Sequence, residues 1–206
     1  MFYFVKTPWL LKKTYSSCIW DIPGKEKKIY LTFDDGPHQT ATPFVLETLK
    51  KFNAKATFFC IGKNVAEHPD TYKQILLNGH RVGNHTHNHL NGWKVSDKEY
   101  FENILEAKKY IDSNLFRPPY GRISRFQLNN LCAHTNFRIV MWDVLSADFD
   151  KKISAKKCAQ NVINNTKKGS IIIFHDSEKA FERLESALPE CLQFFKENSY
   201  SFEVIA

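Results

Sequence analysis

Two adjacent carboxylates, Asp34 and Asp35, follow an apolar run and precede a Gly-Pro pair. The run at 29–33 is typical of a strand, and Gly36-Pro37 forces a turn directly after the two acids. Because neighbouring residues of an extended backbone point in opposite directions, the two carboxylates can have different tasks. We expect one to bind a metal ion and the other to stay free as a base, although the motif taken alone also fits a solvated turn.

Three histidines follow in the segment His85-Thr86-His87-Asn88-His89. One helical turn would place His85 and His89 on the same face, with nitrogens about 2 Å from a shared ion, and His87 would point elsewhere. Two histidines and one carboxylate leave open positions for water and substrate, which is typical of a catalytic site. Asp35 is the candidate carboxylate. Zinc is the expected ion, and cobalt, nickel or manganese would also fit these ligands.

These motifs resemble the first two of the five ordered motifs of the polysaccharide deacetylases, carbohydrate esterase family four. Members of that family are metal-dependent hydrolases that remove N- or O-acetyl groups from sugars. The resemblance covers about residues 29–205, with the motifs in the family's order. The other three motifs correspond to Arg117-Pro118-Pro119-Tyr120-Gly121, to Trp142–Phe149 and to Ile171–Asp176.

The resemblance implies a role for each of five side chains or backbone groups. Asp34 would be the general base, and Arg117 would hold it ionised, since a nearby cation favours the charged form of a carboxylate. The Tyr120 backbone N–H would face the developing oxyanion. His175 would protonate the departing amine, and Asp148 would orient and charge His175. The implied reaction is hydrolysis of a carbon–nitrogen bond other than a peptide bond.

The substrate pocket is expected to include Ile173, beside the acetyl methyl group, together with Trp142 and Pro119. Ile173 is equally compatible with a plain position in the strand core. The fourth motif departs from the family pattern, because Leu145 replaces its first Asp and Phe149 replaces its Trp. Phenylalanine keeps an aromatic wall but removes an indole N–H donor. Trp142 and Asp143 are candidates to compensate.

The elements that must position these residues alternate between strand and helix, which favours parallel strands joined by crossover helices. With 206 residues and 43% hydrophobic content, the chain can bury one core. The resemblance implies an α/β fold, a distorted (β/α) barrel with fewer than eight regular strands. The expected strands are 29–33, 56–60, 81–84, 138–142, 171–175 and 202–205, and the expected helices lie near 40–52, 70–78, 97–113, 124–134, 154–165 and 178–197.

Residues 1–28 differ from the catalytic domain expected at 29–206. The apolar run at 1–11 is interrupted by Lys6 and Pro8 and is too short to span a bilayer. It also lacks the pattern of a signal peptide. We expect a segment packed on the barrel, over its open bottom or side, in a cytoplasmic protein. A peripheral membrane contact through this segment is the alternative.

The net charge and the cysteine content indicate which classes of binding partner to expect and the redox state of the thiols. The net charge of +7 could attract an anionic glycan, but no recognisable nucleic-acid-binding module accompanies it, so nucleic acid is not expected. The five cysteines are scattered and odd in number, which is typical of reduced thiols. An acetylated glycan or amino sugar is the expected substrate, and no protein partner is inferred.

Two other classes of protein stay open at this stage. One is a different metal hydrolase of small amides or phosphoesters, built on His85-x-His87, although such barrels place this motif after the first strand. The other is a non-catalytic carbohydrate-binding protein that keeps the fold.

Overall fold

The computed structural model describes residues 3–206, which form one parallel β-sheet with helices packed against it. In these residues the strands are β1 (Lys28–Asp34), β2 (Ala56–Cys60), β3 (Arg81–Asn84), β4 (Leu115–Phe116), β5 (Arg138–Ile139), β6 (Val144–Leu145), β7 (Ile171–His175) and β8 (Ser201–Phe202). The α-helices are α1 (Trp9–Thr14), α2 (Ala41–Lys51), α3 (Gly62–Glu67), α4 (Pro69–Leu77), α5 (Asp97–Lys108), α6 (Arg125–His134), α7 (Ala155–Asn165) and α8 (Glu178–Glu197), and a 3₁₀ turn spans Pro119–Gly121.

β1 is the central strand of the sheet. The strand order is β5-β4-β3-β2-β1-β7-β6, and β8 pairs with the start of β1. Every residue of β1 after Lys28 is buried, because helices cover one face and the barrel interior the other. The sheet curls into a partial barrel in which four of the strands have only two residues each. The predicted distorted barrel with fewer than eight regular strands is confirmed.

Parallel pairing brings the carboxyl ends of the strands to the same edge of the sheet. Asp34 at the end of β1 pairs with Phe59 of β2 and with His175 of β7. Asn84 at the end of β3 pairs with Phe116 of β4. The loops that follow these strands therefore meet over one end of the barrel, where such folds carry their chemistry.

Several element boundaries differ from the sequence prediction. The strand expected at 138–142 ends at Ile139, and a separate β6 begins at Val144, because residues 140–143 bond partly to the N-terminal segment instead of to a neighbouring strand. β4 is too short to produce a periodic pattern. The helix expected at 97–113 ends at Lys108, where the chain turns to enter β4.

The N-terminal segment lies along both outer strands of the sheet. Ile19 bridges Val140 next to β5, and Lys6 bridges Val144 of β6 in antiparallel fashion. Asp21 bridges Ser170, the residue directly before β7. Backbone groups of residues 5–22 thus pair with the open edges of the partial barrel. Residues 1–2 of the predicted segment lie outside the described residues.

The described residues contain no helix with both the length and the apolar character needed to cross a membrane. All five cysteines are free thiols, and four of them are buried.

Candidate active site

Asp34 and Asp35 end β1 and point to different neighbours. Asp34 is buried, with 2% of its surface exposed, and contacts Arg117. Asp35 has a left-handed backbone, with φ of 80°, which turns its carboxylate towards His89. The Asn64 side chain holds this turn by donating to the Asp35 carbonyl oxygen at 2.7 Å. The divergence that the sequence predicted for the two carboxylates is present.

The histidine segment is a loop after β3, so the predicted helical turn from His85 to His89 is wrong. Thr86 and His89 have φ of 63° and 55°, which no α-helix contains. The Asn84 side chain accepts from the Thr86 amide at 2.8 Å, and the Thr86 hydroxyl accepts from the Leu90 amide at 3.1 Å. These local bonds compete with helix formation. The loop still brings the His85 and His89 rings to 5.1 Å between centroids.

Asp35, His85 and His89 form a cluster that fits a divalent metal ion. One ligand atom from each lies within 4.8 Å of the others, a spacing that a single ion could bridge. The Asp35 Oδ1 atom is buried and accepts no hydrogen bond from the described residues, although His89 Nε2 is 3.2 Å away. His87 is outside the cluster and stacks on Tyr110 at 5.5 Å, which contradicts the alternative site built on His85-x-His87.

The protonation states of the cluster suit metal binding. Burial lowers the pKa of His85 to about 4, so its imidazole is neutral at neutral pH. His85 Nδ1–H donates a hydrogen bond to the Arg117 carbonyl oxygen at 2.7 Å, which leaves Nε2 as the free ligand atom. Burial opposes the charge on Asp35, but the imidazoles of His89, His175 and His85 outweigh it and hold the pKa of Asp35 well below its ordinary value.

Arg117 fixes the free carboxylate Asp34. Its Nη1 donates to Asp34 Oδ1 at 2.6 Å and to the Thr32 hydroxyl at 2.7 Å. The rest of the fully buried guanidinium donates to the carbonyl oxygens of Val140 and Met141 and stacks over a buried ring. Because the guanidinium is held by bonds on several sides, it fixes the Asp34 carboxylate in one position. Asp34 Oδ2 is 3.7 Å from His85 Nε2, which puts this carboxylate beside the candidate metal site.

His175 ends β7 on the other side of the site and is paired with Asp148. Asp148 Oδ1 lies 2.7 Å from His175 Nδ1, and Asp148 Oδ2 accepts from the His175 backbone N–H at 2.7 Å. Burial disfavours the charged imidazole, but the Asp148 carboxylate outweighs it and, with Asp35 and Asp34, raises the pKa of His175 to about 9. His175 is therefore protonated at neutral pH.

The turn Pro119–Gly121 follows β4 and carries Tyr120 with φ of 60°. The amides of Gly121 and Arg122 donate to the carbonyls of Pro118 and Pro119, and the Tyr120 amide takes part in neither bond. The Tyr120 ring lies 4.6 Å from the His89 ring, so the turn is held against the candidate metal site.

One cavity of about 700 Å³ is lined by Asp34, Tyr120, His175 and the three residues of the candidate metal cluster, whereas Arg117 and Asp148 are buried and do not line it. Ile173 and Trp142, which were predicted to contact the substrate, line this cavity. Pro119 does not line it: it is buried within the turn, and Tyr120 and Gly121 face the cavity instead. Leu145 and Phe149, the two departures from the family pattern, are also on its surface.

Asp143 does not compensate for those departures. It is fully buried and binds Lys6, Lys12 and the Ser170 hydroxyl, and it is not among the residues that line the cavity.

Sequence reasoning missed part of the cavity wall, which comes from the N-terminal segment and from residues beside recognised motifs. No spacing or motif in the sequence pointed to the N-terminal residues, because their position depends on contacts with β6. The missed residues are Tyr3, Phe4, Thr7, Pro8, Leu11, Trp20, Arg122, Met141, Ser177 and Lys179.

Comparison with known proteins agrees with the geometry. The sequence model of the polysaccharide deacetylase family matches residues 21–139. A peptidoglycan-N-acetylglucosamine deacetylase of Bacillus cereus is 35% identical over 193 residues, which cover 91% of this chain and 90% of that protein. A chitooligosaccharide deacetylase of Azorhizobium caulinodans is 36% identical over 162 residues, with coverage of 75% and 76%.

Among solved structures, that of the Bc1960 peptidoglycan N-acetylglucosamine deacetylase, in complex with a naphthyl-substituted hydroxamate, has a TM-score of 0.88 to this chain. The two share 33% identity, and the match covers 97% of this chain and 95% of that one. The family resemblance predicted from the motifs is confirmed: this chain belongs to the polysaccharide deacetylase family.

Proposed function

We propose that this chain hydrolyses the N-acetyl group of an amino sugar within a glycan, with zinc as its metal ion. The proposal depends on one observation: a single cavity is lined by the Asp34 carboxylate that Arg117 fixes, by the Asp35-His85-His89 cluster, and by a protonated His175. The relatives named above are deacetylases of N-acetylated sugars, which supports the same substrate class here.

Asp35, His85 and His89 would hold the ion, because one carboxylate and two neutral imidazoles suit zinc and leave positions open. When bound, the ion would supply Lewis-acid polarisation of the acetyl carbonyl and acidify the attacking water.

The residues of the chain can carry each proton that amide hydrolysis moves. Asp34 would take a proton from the water that attacks the acetyl carbon. The Tyr120 amide would donate to the carbonyl oxygen as negative charge develops there. His175 then gives its Nε2 proton to the nitrogen as the carbon–nitrogen bond breaks, and acetate and a free sugar amine leave. Asp148 keeps His175 in the orientation and charge state that this transfer needs.

Leu145 and Ile173 form the apolar surface for the acetyl methyl group. They belong to one small cluster with Ala147 and contact Phe149, next to His175. A leucine in place of the family's acid keeps this region apolar, so the methyl group is buried without an unpaired charge beside it.

The test measures acetate release from N-acetylglucosamine oligomers and from peptidoglycan. We expect release by the wild type with zinc, loss after metal removal, recovery on adding zinc back, and loss in Asp34→Asn at full metal occupancy. His87→Ala is the matched control, since His87 lies in the same loop but outside the cluster, and should keep activity. No release by the zinc-loaded wild type, or full activity of Asp34→Asn, would contradict the proposal.

A further inference from the structure

Part of the cavity surface is formed by residues that precede the region matched by the family model. Tyr3, Phe4, Thr7, Pro8 and Leu11 line the cavity that holds the catalytic groups, whereas the family match begins at residue 21. We call these five residues the N-terminal wall. The family's sequence model therefore does not reach this side of the cavity, although the match to the Bc1960 structure covers 97% of this chain.

Backbone bonds fix the N-terminal wall to the fourth-motif segment. The Leu145 amide donates to the Val5 carbonyl at 2.8 Å, and the Thr7 amide donates to the Asp143 carbonyl at 2.9 Å. The Thr7 hydroxyl donates to the Trp142 carbonyl at 2.7 Å. The wall is thus paired with the chain that carries Trp142 and Leu145, both of which face the cavity.

A buried carboxylate adds an ionic anchor to these bonds. Asp143 is fully buried, and its oxygens lie 2.6 Å from Lys6 Nζ and 2.6 Å from Lys12 Nζ. Lys12 also binds Asp21 at 2.5 Å. Leaving the Asp143 carboxylate buried without its lysine partners would strongly destabilise the protein, so these ion pairs hold the segment in this position.

Tyr3 links the wall to the catalytic acid. Its ring meets Phe149 edge-on at 5.6 Å, and Phe149 in turn meets the His175 ring edge-on at 5.4 Å. The Tyr3 hydroxyl donates to Asp150 Oδ2 at 2.8 Å. Phe149 is therefore packed between a residue of the wall and the imidazole.

We propose that the N-terminal wall is a sugar-binding surface of this cavity, and that Tyr3 is a positioning residue that holds Phe149 against His175. The proposal rests on the proposed function. His175 must reach the amine nitrogen of the sugar, so the side chains around His175 must lie against the sugar ring or the next one. Aromatic and aliphatic side chains suit the C–H faces of pyranose rings, because these faces are apolar.

The test compares Tyr3→Ala, Tyr3→Phe and Trp9→Ala. Tyr3→Ala removes the ring, and we expect kcat/KM on an N-acetylglucosamine tetramer to fall on the order of tenfold, through both a higher KM and a lower kcat. Tyr3→Phe keeps the ring and loses only the bond to Asp150, so it should restore kcat/KM to within about threefold of wild type. Trp9→Ala is the matched control, an aromatic residue of the same segment that is 71% exposed and does not line the cavity.

A binding measurement separates this proposal from the proposed function. In an Asp34→Asn background, calorimetry with the same tetramer should show about tenfold weaker binding when Tyr3→Ala is added, at unchanged zinc affinity. If the wild type releases no acetate, the proposed function fails, and the calorimetry alone decides the role of the wall. Two binding results would overturn the inference: no tetramer binding by the Asp34→Asn parent, or equal tetramer affinity with and without the Tyr3→Ala change. Two kinetic results would also overturn it: equal defects in Tyr3→Phe and Tyr3→Ala, or the same loss of kcat/KM in Trp9→Ala.

Discussion

Replacing Asp148 by Asn should move the alkaline limb of activity to lower pH. Asp148 makes the largest contribution that raises the pKa of His175 from 6.5 to about 9, against the opposing effect of burial. Asparagine removes that charge while the burial remains. The pKa of His175 in the variant should therefore fall towards or below its ordinary value.

The size of the effect follows from the protonated fraction of His175, which must carry a proton to act as the acid. At about pH 8, a pKa near 9 leaves about 0.9 of the molecules protonated, and a pKa near 6.5 leaves about 0.03. We therefore expect kcat/KM of Asp148→Asn to be lower by about thirtyfold at that pH, and the gap to narrow as the pH falls.

The same pair contributes to stability with a definite sign. His175 has a folded-state pKa above its unfolded value, so its pairing stabilises the protein fully below pH 6.5 and the contribution is lost as the pH rises through about 9. The stability difference between wild type and Asp148→Asn should shrink over that window. Some difference will remain, because asparagine can accept only one of the two bonds that Asp148 accepts from His175.

The assay is kcat/KM for acetate release across pH, together with thermal unfolding to verify that the variant is folded. Glu182→Gln is the control, since Glu182 is an exposed acid near this region that bonds to Arg183 and not to His175. An unchanged alkaline limb in folded Asp148→Asn would refute the reasoning, because the pKa of His175 would then not depend on Asp148.

Three further predictions concern the metal, the buried arginine and the turn. His89→Ala should abolish stoichiometric zinc binding in calorimetry while His87→Ala binds as the wild type does; equal loss in both would contradict the three-ligand cluster. Arg117→Met should lower the free energy of unfolding in urea by about 3–5 kcal/mol near neutral pH, because it leaves Asp34 buried without its cation, and a loss below about 1 kcal/mol would contradict this. Gly121→Ala should lower kcat by about 10- to 100-fold at unchanged zinc occupancy. The reason is that a Cβ there would lie 2.7 Å from the Trp142 ring, on a backbone with φ of 64°. An unchanged kcat would show that the turn tolerates the added methyl group.

Much of the site could be predicted from sequence because its residues follow strands. Asp34 and His175 end neighbouring parallel strands, and an apolar run that stops at a polar residue marked each strand end in the sequence. The role of His175 beside Asp34 was implied only by the family resemblance. Asp35, His85 and His89 were predicted as a group from the preference of metals for such ligands. The local backbone was predicted wrongly, since a spacing of four residues fits both a helical turn and the observed loop with two left-handed residues.

The missed features depend on contacts between distant parts of the chain. Asp143 sits in the fourth motif next to a catalytic segment, yet its partners are two lysines of the N-terminal segment, and nothing in local sequence distinguishes such an anchor from an active-site acid. Pro119 belongs to a recognised motif, but the left-handed residue after it turns the neighbouring side chains to the cavity instead. Two-residue strands such as β4 are similarly defined by their neighbours.

The pairing of the N-terminal segment with β6 also constrains how the molecule can fold. Lys6 and Asp143 are 137 residues apart in sequence, so this contact closes a long loop and forms only after β6 and Ser170 are available. Until then the outer strands present unpaired backbone groups, which can pair with another chain. These residues are synthesised before β6 but can dock only after it, and in that interval the outer strands are open to pairing with another chain.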